Sequence, residues 1–413
     1  MTTFDVEKVR EDFPALKALK DGKPIIYADS ACMALKPKQV VDELVRYYTE
    51  YTACAGRSPH IFSRKTSKHY EMAREKVAAF INAKDPAEVV WTRNTTEALN
   101  LGSGILNLDG TETIITSSES HNSNIVKWIY LENLGKIKLK ILNVHEDGQY
   151  DIERFTEAVQ ECAEGKFLVS LAHASNVTAN IHDIKKLVQI THEKEGIFQL
   201  DAAQSFPHMP LDVQKLGVDL MGVSMHKACG PTGVGFLYGK FTLLQKINPL
   251  ILGGEAVSDV LIPNKIHMLP PPSKFEAGLQ NYAGVIACGA TVDYLSSLGM
   301  ANIHAHEVQL SKIMLKGLNE LGERISILGS KDPNQRAALA AINLKAIDPH
   351  EVAILLDDMY NILLRSGYHC THGFHHSLEL EQGTLRPSWY LYNTVEEVKK
   401  FVEALVEILD ALS

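Results

Sequence analysis

Short apolar runs alternate with amphipathic stretches from about residue 85 to residue 240. Because strands that alternate with helices form parallel sheets with helices on both faces, the pattern predicts an α/β fold with a mostly parallel sheet. Ligands of such sheets bind at the carboxyl ends of the strands. The runs of strand length lie at residues 88–92, 113–116, 137–144, 166–171, 196–200, 218–223 and 233–238.

After about residue 280 the helical period dominates. It predicts helices over residues 287–298 and 303–321, and a final helix that opens with the capping box Thr394-x-x-Glu397. The chain has 413 residues, more than the roughly 250–300 that a single core usually serves. We therefore expect a large domain over residues 20–280 and a smaller α+β domain from residues 1–19 and 281–413.

Charge and cysteine content narrow the class of protein. The net charge of -9 gives no basic stripe for nucleic acid. The six cysteines have no CxxC spacing, so neither a disulfide framework nor a zinc ribbon is predicted, and free thiols fit a reducing cytoplasm. The N-terminus has no apolar leader, and no run approaches the roughly 18 apolar residues of a membrane span. The expectation is a soluble, cytoplasmic protein without nucleic-acid or membrane partners.

Lys227 is the first candidate for chemistry. It follows the apolar run 218–223 and precedes the turn sequence Gly230-Pro-Thr-Gly233, which predicts a tight loop between two strands. An amine that is held still and partly desolvated suits a Schiff base with an aldehyde. A single lysine after a strand is more often a solvated surface residue, so this interpretation needs support from other elements.

Two further elements make pyridoxal phosphate the favoured ligand. The run 196–200 ends in Asp201, and Gln204 follows. A carboxylate keeps the cofactor's ring nitrogen protonated, so that the ring can accept electrons. The run 88–92 leads to Thr95 and Thr96 at a predicted helix start, where hydroxyl and N–H groups favour a phosphate. Each feature alone is an ordinary cap or turn, but together they favour this cofactor.

At this point the motifs amount to a family resemblance over nearly the whole chain. The sequence resembles class V, fold-type I pyridoxal-phosphate enzymes, and among them the SufS-type cysteine desulfurase and selenocysteine lyase family. Ser-x-His-Lys with Asp-x-x-Gln is specific for the class, and Arg-x-Gly-x-His-Cys narrows it to desulfurases. The segments that carry the resemblance are Tyr27-Ala-Asp-Ser-Ala31, Asn94-Thr-Thr-Glu97, His121-Asn-Ser-Asn-Ile-Val-Lys-Trp128, His173-Ala-Ser-Asn176, Asp201-Ala-Ala-Gln204, Ser224-Met-His-Lys227, Phe275-Glu-Ala-Gly278, Arg365-Ser-Gly-Tyr-His-Cys370 and Arg386-Pro-Ser-Trp-Tyr-Leu-Tyr-Asn393.

The resemblance implies a fold and a set of cofactor contacts. The fold is that of the fold-type I transferases, with a mostly parallel seven-stranded sheet and a smaller C-terminal domain. Lys227 would bind the cofactor covalently and move the substrate's Cα proton. His121 would stack on the ring and assist proton transfer. The other implied cofactor ligands are Asp201 for the ring nitrogen, Gln204 for the phenolic oxygen, and Thr96, Ser224 and His226, with the N–H of Thr95, for the phosphate. Asn176 is also among the implied cofactor contacts.

The resemblance also implies a substrate and a reaction. Asn176 and Arg386, with Arg365 nearby, would clamp the substrate carboxylate, since a guanidinium meets a carboxylate in a bidentate fashion. Cys370 would attack the sulfur of L-cysteine, releasing L-alanine and leaving a persulfide on the enzyme. That sulfur would pass to an acceptor or scaffold protein for iron-sulfur clusters, thio-cofactors or thiolated tRNA. L-selenocysteine is a near variant of the substrate, and a homodimer is the implied assembly.

The chain departs from the family at several positions. Asn122 stands where the family often has a second histidine, and Tyr368 replaces the first histidine of His-His-Cys. Leu279 replaces a threonine that commonly reaches a neighbouring subunit's phosphate. Arg57 matches the family's arginine loop only loosely. The cluster of Cys370 with His372, His375 and His376 has ligand-like spacing, but a solvated histidine-rich loop is favoured and no metal is predicted.

Two classes of function stay open from the sequence. The first is the cysteine desulfurase just described. The second is another class V pyridoxal-phosphate reaction, which includes selenocysteine cleavage, transamination, epimerisation and a kynureninase-like C–C cleavage. An aminotransferase or an epimerase needs no thiol opposite the cofactor, so Cys370 is the residue that separates the two classes.

Overall fold

Seven strands of the described residues form one central sheet. The computed structural model describes residues 4–144, 147–345 and 347–412. The strands are β1 Val89–Thr92, β2 Thr113–Ser117, β3 Lys138–Leu142, β4 Phe167–Ala172, β5 Ile197–Asp201, β6 Leu220–Ser224 and β7 Gly235–Gly239. Each coincides with one of the apolar runs to within a few residues at its ends. Their order across the sheet is β1-β7-β6-β5-β4-β2-β3.

The sheet is mostly parallel, as predicted. Strands β6, β5, β4, β2 and β3 run parallel to one another, and β7 is antiparallel to both of its neighbours. Every residue of β4 and β6 is buried, as expected where helices cover both faces. The edge strand β3 carries Lys138 and Lys140 and is partly exposed, and charged side chains on an edge oppose pairing with other chains.

The α-helices of the described residues range from 4 to 20 residues in length. The final helix begins with the predicted capping box, in which Glu397 N–H donates to Thr394 Oγ1 at 3.2 Å and Thr394 N–H donates to Glu397 Oε2 at 3.1 Å. The α-helices in the described part of the chain are Val6–Glu11, Lys38–Glu50, Ile61–Phe80, Thr95–Gly102, Asn122–Asn133, Ile152–Gln160, Ile184–His192, Ser205–His208, Val213–Leu216, Phe241–Leu244, Tyr282–Leu298, Met300–Asn319, Pro349–Tyr360, His372–Ser377 and Val395–Leu412.

A second, four-stranded sheet lies in the C-terminal part of the chain. Its order is Ser326–Ile327, Ile342–Asn343, Thr384–Arg386 and Arg365–Gly367, with antiparallel pairing throughout. Arg365 pairs directly with Arg386, so the two arginines occupy neighbouring strands. The strand Ile362–Leu363 pairs in parallel with Ile26–Tyr27, which ties the N-terminal segment to this part of the fold.

Two large hydrophobic clusters stabilise the molecule. The first surrounds the central sheet and includes the helix Tyr282–Leu298. The second lies under the four-stranded sheet and is built from the helices Met300–Asn319 and Val395–Leu412, with Ile26 and Ala28 from the N-terminal segment. The proposed domain division at residue 280 stays a prediction. The chain passes from the first hydrophobic cluster to the second after residue 280, within the helix Met300–Asn319. Residues 1–3 of the predicted small domain lie outside the described residues.

In the described ranges, none of the helices taken alone combines the length and the hydropathy needed to cross a bilayer. The bent pair Tyr282–Leu298 and Met300–Asn319 meets both criteria only when the two helices are joined.

The Phe-Glu-Ala-Gly motif has a structural role at Glu276. The carboxylate of Glu276 receives Arg74 Nη1 at 2.7 Å and Nη2 at 2.9 Å, the Tyr70 hydroxyl at 2.9 Å and the Trp91 N–H at 2.9 Å. Both charged side chains are buried, and the four donors satisfy the carboxylate. This network fastens the helix Ile61–Phe80 and strand β1 to the segment that precedes Tyr282–Leu298.

We predict that Glu276→Gln lowers the free energy of unfolding by about 3–5 kcal/mol, because the Arg74 guanidinium then stays buried without its buried counter-charge. Denaturant unfolding measures the change. The matched control is Glu71→Gln, which removes the other carboxylate that contacts Arg74. The Glu71 side chain is 58% exposed, so its loss should cost about 0–1 kcal/mol. Equal effects of the two substitutions would contradict this account of the buried pair.

Candidate active site

One cleft of about 240 Å³ gathers the residues predicted from the sequence. It opens at the carboxyl edge of the central sheet, because Asp201 ends β5, Ser224 ends β6 and the segments after β1, β2 and β4 lead to the same edge. The lining includes every predicted site residue, namely Thr95, Thr96, His121, Asn176, Asp201, Gln204, Ser224, His226, Lys227, Arg365, Cys370 and Arg386.

Lys227 and Asp201 form the electrostatic centre of the cleft. Lys227 ends the single 3-10 turn Met225–Lys227 that follows β6. Desolvation lowers the pKa of its amine to about 8, and the Asp201 carboxylate opposes that shift. Asp201 is buried, and burial raises the pKa of its carboxyl, while the Ala203 N–H and Lys227 oppose the rise. The amine is therefore partly neutral, and hence nucleophilic, near neutral pH.

One end of the cleft is built from hydroxyl groups and two helix starts. Thr95 begins the helix Thr95–Gly102, and its N–H and Oγ1 each lie 2.7 Å from Ser224 Oγ. Thr96 Oγ1 lies 2.6 Å from Ser123 Oγ at the start of Asn122–Asn133. Two helix N-termini that converge on one point favour a bound anion. The N–H of Thr95, predicted to face a phosphate, is already bonded to Ser224.

Gly235 permits strand β7 to pack closely against Asn94, the residue that precedes Thr95. A Cβ atom on Gly235 of β7 would lie 2.8 Å from Asn94 Cα, and Asn94 caps the helix Thr95–Gly102 by accepting the Glu97 N–H. A larger residue at position 235 would displace the cap and the hydroxyl groups that follow it.

Both predicted histidines in the cleft are neutral at physiological pH. Burial and the charge of Lys227 lower the pKa of His121 to about 3 and that of His226 to about 4. His121 Nδ1 accepts the Ser123 N–H at 3.1 Å, so its proton is on Nε2. A neutral imidazole is suited to ring stacking and to hydrogen bonding, but not to neutralising a phosphate by charge.

The opposite end of the cleft holds a guanidinium with free donors. Arg386 is 2% exposed, and its Nη1 donates to Asn176 O at 3.0 Å. Its Nε and Nη2 have no hydrogen-bond partner among the described residues, although Asp29 Oδ1 lies 3.6 Å from Nη2. Those two donors form one edge of the fork, the edge that binds a carboxylate side-on. Arg365 Nε also lies 3.6 Å from Asp29 Oδ1.

Cys370 lies exposed at the rim of the same cleft. It follows the strand Arg365–Gly367 and precedes the helix His372–Ser377. Asn176 Nδ2 donates to the carbonyl of His369, the preceding residue, at 2.8 Å. Cys370 and Lys227 thus line one shared cleft.

The histidines that follow Cys370 have separate partners. His375 is completely buried and contacts Thr371 and Thr384, so the prediction of a solvated loop is wrong for this residue. His375 is buried because it lies, with Phe374, on the inward side of the short helix His372–Ser377. His376 contacts Glu381 at 3.2 Å. No group of three or more potential metal ligands converges within the described ranges.

Two positions of uncertain family match lie on the surface. Arg57 forms an ion pair with Glu255, and it does not line the cleft. Leu279 is 71% exposed.

The sequence prediction missed several residues of the site. Ser123 contacts Thr96, Asp29 lies between the two arginines, and Cys32 and His369 line the cleft. Asp29 and Ser123 fall within segments that carried the family resemblance, so position in a motif was the available signal. Cys32 adjoins one of those segments but had no chemical partner nearby in the sequence.

The free polar groups of the cleft fit pyridoxal phosphate. Gln204 Nε2 donates one of its two N–H groups to Ala31 O at 2.9 Å, which leaves the other for a ligand oxygen. The buried Gln204 Oε1 has no partner in the described part of the chain. An anion site, a buried carboxylate and a partly neutral lysine complete the donor set that a phosphate, a pyridine nitrogen and an aldehyde require.

Comparisons with known proteins agree with this geometry. The family model described as aminotransferase class-V matches residues 26–401. A probable cysteine desulfurase of Synechocystis is 38% identical over 400 residues, covering 96% of this chain and 94% of the relative. A probable cysteine desulfurase of Streptomyces coelicolor is 36% identical over 417 residues, covering 98% and 97%.

Solved structures have the same fold. The apo cysteine desulfurase of Thermococcus onnurineus superposes with a TM-score of 0.91 at 32% identity and covers 98% of both chains. A cysteine desulfurase of Escherichia coli superposes with a TM-score of 0.87 at 30% identity, covering 99% of this chain and 100% of that chain. The expected fold-type I architecture is thereby confirmed.

We predict that the Lys227 amine adds to the aldehyde of pyridoxal phosphate at a rate that rises through pH about 8 and is constant above it. Only the neutral amine is nucleophilic, so the rate follows deprotonation. Borohydride trapping of apoprotein across a pH series, followed by peptide mapping, measures it. Exposed lysines, with an ordinary pKa near 10.4, provide the internal comparison.

The same experiment has a matched control in Lys227→Ala, which should lose the reducible link. A link that survives this substitution would assign the Schiff base to another lysine. A labelling rate at Lys227 that follows the exposed lysines would contradict the lowered pKa.

Proposed function

The chain belongs to the aminotransferase class-V family, and from that premise we propose that it is a pyridoxal-phosphate-dependent cysteine desulfurase. The observation that carries this proposal is that the Cys370 thiol lines the same cleft as the Lys227 amine. Transamination and epimerisation act only at Cα and need no thiol, whereas removal of sulfur needs a nucleophile for the sulfur atom. The relatives named as cysteine desulfurases support the same reaction.

The cofactor would be held by groups of matching charge and hydrogen-bonding character. Thr96, Ser224 and His226, near the start of the helix Thr95–Gly102, would hold its phosphate. Gln204 would donate to its phenolic oxygen, and Asp201 would keep its ring nitrogen protonated. When bound, pyridoxal phosphate supplies an electron sink for the substrate's Cα carbanion. His121 would cover one face of the ring with a neutral imidazole.

The substrate would be oriented by its carboxylate. The free Nε and Nη2 edge of Arg386 is suited to bidentate binding of the carboxylate of L-cysteine. Asn176 O holds the other side of this guanidinium, and Asn176 Nδ2 holds the Cys370 loop. Asn176 therefore connects Arg386, which would orient the carboxylate, to the loop that carries the Cys370 thiol.

The reaction would divide between Lys227 and Cys370. Lys227 Nζ accepts the proton from the substrate's Cα. The Cys370 thiolate then attacks the substrate Sγ, so that an S–S bond forms as the Cβ–Sγ bond breaks. The electron pair of the broken bond would stay with Cβ, which takes up a proton. Lys227 Nζ would then return a proton to Cα, so that L-alanine is released. Cys370 retains the sulfur as a persulfide, and a thiol of an acceptor protein would remove it.

We predict that Cys370→Ser abolishes alanine formation from L-cysteine, because a hydroxyl is a far weaker nucleophile toward sulfur than a thiolate. Pyridoxal phosphate should still bind. Alanine assay and absorbance measure the two properties, and intact mass should show one additional sulfur on the wild-type peptide that contains Cys370. Cys54, also exposed, provides the control variant Cys54→Ser. Wild-type alanine production by Cys370→Ser would favour a transaminase or an epimerase instead.

The homodimer is the second part of the proposal, and an exposed apolar surface supports it. The strands Val257–Leu261 and Lys265–Met268 form an antiparallel hairpin whose residues are mostly exposed, and Ile262 in its turn is 90% exposed. A contiguous exposed apolar patch is typical of a protein–protein interface, because monomeric proteins rarely expose one. The segment of residues 250–279, which contains this hairpin, has the following exposed large apolar residues: Leu250, Ile251, Leu252, Val260, Leu261, Ile262, Ile266, Met268 and Leu279.

We predict that Ile262→Asp weakens the dimer, because a charge would be buried in an apolar contact between two copies. Light scattering across a dilution series should show a dimer for the wild type and a monomer fraction for the variant. Met359→Asp places the same charge on a helix outside this segment, at a side chain that is 61% exposed, and should leave assembly unchanged. A wild-type protein that is monomeric and fully active would refute the assembly.

A further inference from the structure

The backbone at the thiol is held in an unfavourable conformation. His369 has φ 50° and Cys370 has φ 60°, and non-glycine residues rarely occupy this left-handed region. Two such residues in succession persist only where their surroundings hold them. The contacts around Cys370 therefore determine where the thiol lies.

Several hydrogen bonds hold the residues on the N-terminal side of the thiol. Asn176 Nδ2 donates to His369 O at 2.8 Å, and His369 Nε2 lies 3.0 Å from both oxygen atoms of Thr384. These bonds bind the loop to the substrate side of the cleft and to the four-stranded sheet. The peptide that follows Cys370 is also bonded within the loop, because Thr371 N–H donates to Tyr368 O at 2.8 Å, but none of these bonds acts on its carbonyl.

Asn122 holds that following peptide from the opposite wall. It is the first residue of the helix Asn122–Asn133, so its N–H has no acceptor within the helix. That N–H donates to Cys370 O at 2.8 Å. The side chain of Asn122 makes a second contact, in which Nδ2 lies 3.0 Å from His372 Nδ1. One residue thus bonds the loop on both sides of Thr371.

We propose that Asn122 is a positioning residue that clamps the Cys370 loop across the cleft. This inference rests on the proposed desulfurase reaction, since it assigns Asn122 a role only in the attack of the thiol on sulfur. Asn122 adjoins His121, so the clamp also fixes the thiol relative to the imidazole expected over the cofactor. The side-chain amide adds a second contact to the backbone bond, because Nδ2 donates to His372 Nδ1 at 3.0 Å.

The test separates sulfur transfer from proton removal. Alanine formation from L-cysteine needs Cys370, whereas exchange of the Cα proton of L-alanine with D₂O needs only Lys227 and the cofactor. The variants are Asn122→Ala, His372→Ala and the double variant, each as holoenzyme. His376→Ala is the matched control, because it removes an exposed histidine of the same helix that contacts Glu381 rather than Asn122.

Each single variant should lower kcat for alanine formation between about twofold and tenfold, the range expected for one hydrogen bond. KM, cofactor content and the exchange rate at Cα should be unchanged. Because both substitutions break the same side-chain contact, the double variant should be no slower than the slower single variant. His376→Ala should have wild-type kcat.

Several outcomes would overturn the clamp. These are an unchanged kcat in both single variants, effects that multiply in the double variant, or an equal fall in Cα exchange, which would indicate general damage. His372 is exposed, so its removal tests the clamp even if Asn122→Ala folds poorly. A wild-type protein that exchanges the Cα proton but releases no alanine would instead refute the proposed desulfurase activity, and the clamp with it.

Discussion

The site depends on holding a lysine amine and a carboxylate together in a space with little water. Asp201 and Lys227 belong to the ends of adjacent parallel strands, β5 and β6, and the parallel register brings those ends to one edge. Desolvation favours the neutral form of each group, whereas their mutual attraction favours the charged forms. The balance leaves an amine that is nucleophilic near neutral pH beside a carboxylate that a cationic ring can stabilise. The anion end and the arginine end of the cleft lie on either side of this pair.

The two ends of the cleft are built by different kinds of contact. At the anion end each hydroxyl group lies at the end of a strand or at a helix start of the central sheet region, and the Thr95–Ser224 bond joins two of these positions. The arginine end requires long-range pairing, because Arg365 and Arg386 meet across neighbouring strands and Asp29 reaches them from the N-terminal segment. Asn176 joins the two kinds of contact, as it follows a central strand and bonds both to Arg386 and to the Cys370 loop.

Much of the fold and of the lining of the site could be predicted because each depends on short-range patterns. Buried parallel strands are continuous apolar runs, and the capping box at Thr394 is a local hydrogen-bond signature. Long-range contacts carry no such signal. Neither the bond from Thr95 to Ser224 nor that from Asn122 to Cys370 follows from spacing, and the family resemblance supplied residue roles without supplying these bonds. The burial of His375 was missed because histidine-rich segments are usually solvated, and only the packing of a short helix shows which side faces inward.

The pairing of Ile26–Tyr27 with Ile362–Leu363 determines the order in which the site can form during translation. The central sheet, with Lys227 and Asp201, is complete after residue 239, whereas the N-terminal segment gains its partner strand only after residue 363 has been synthesised. Until then Asp29 lacks both arginines, and the cleft lacks its thiol. A nascent chain can therefore form the half of the cleft that contains Lys227 and Asp201 before it has the half that contains Arg386 and Cys370. The whole cleft is assembled only after most of the chain has been synthesised and the N-terminal segment has paired with Ile362–Leu363.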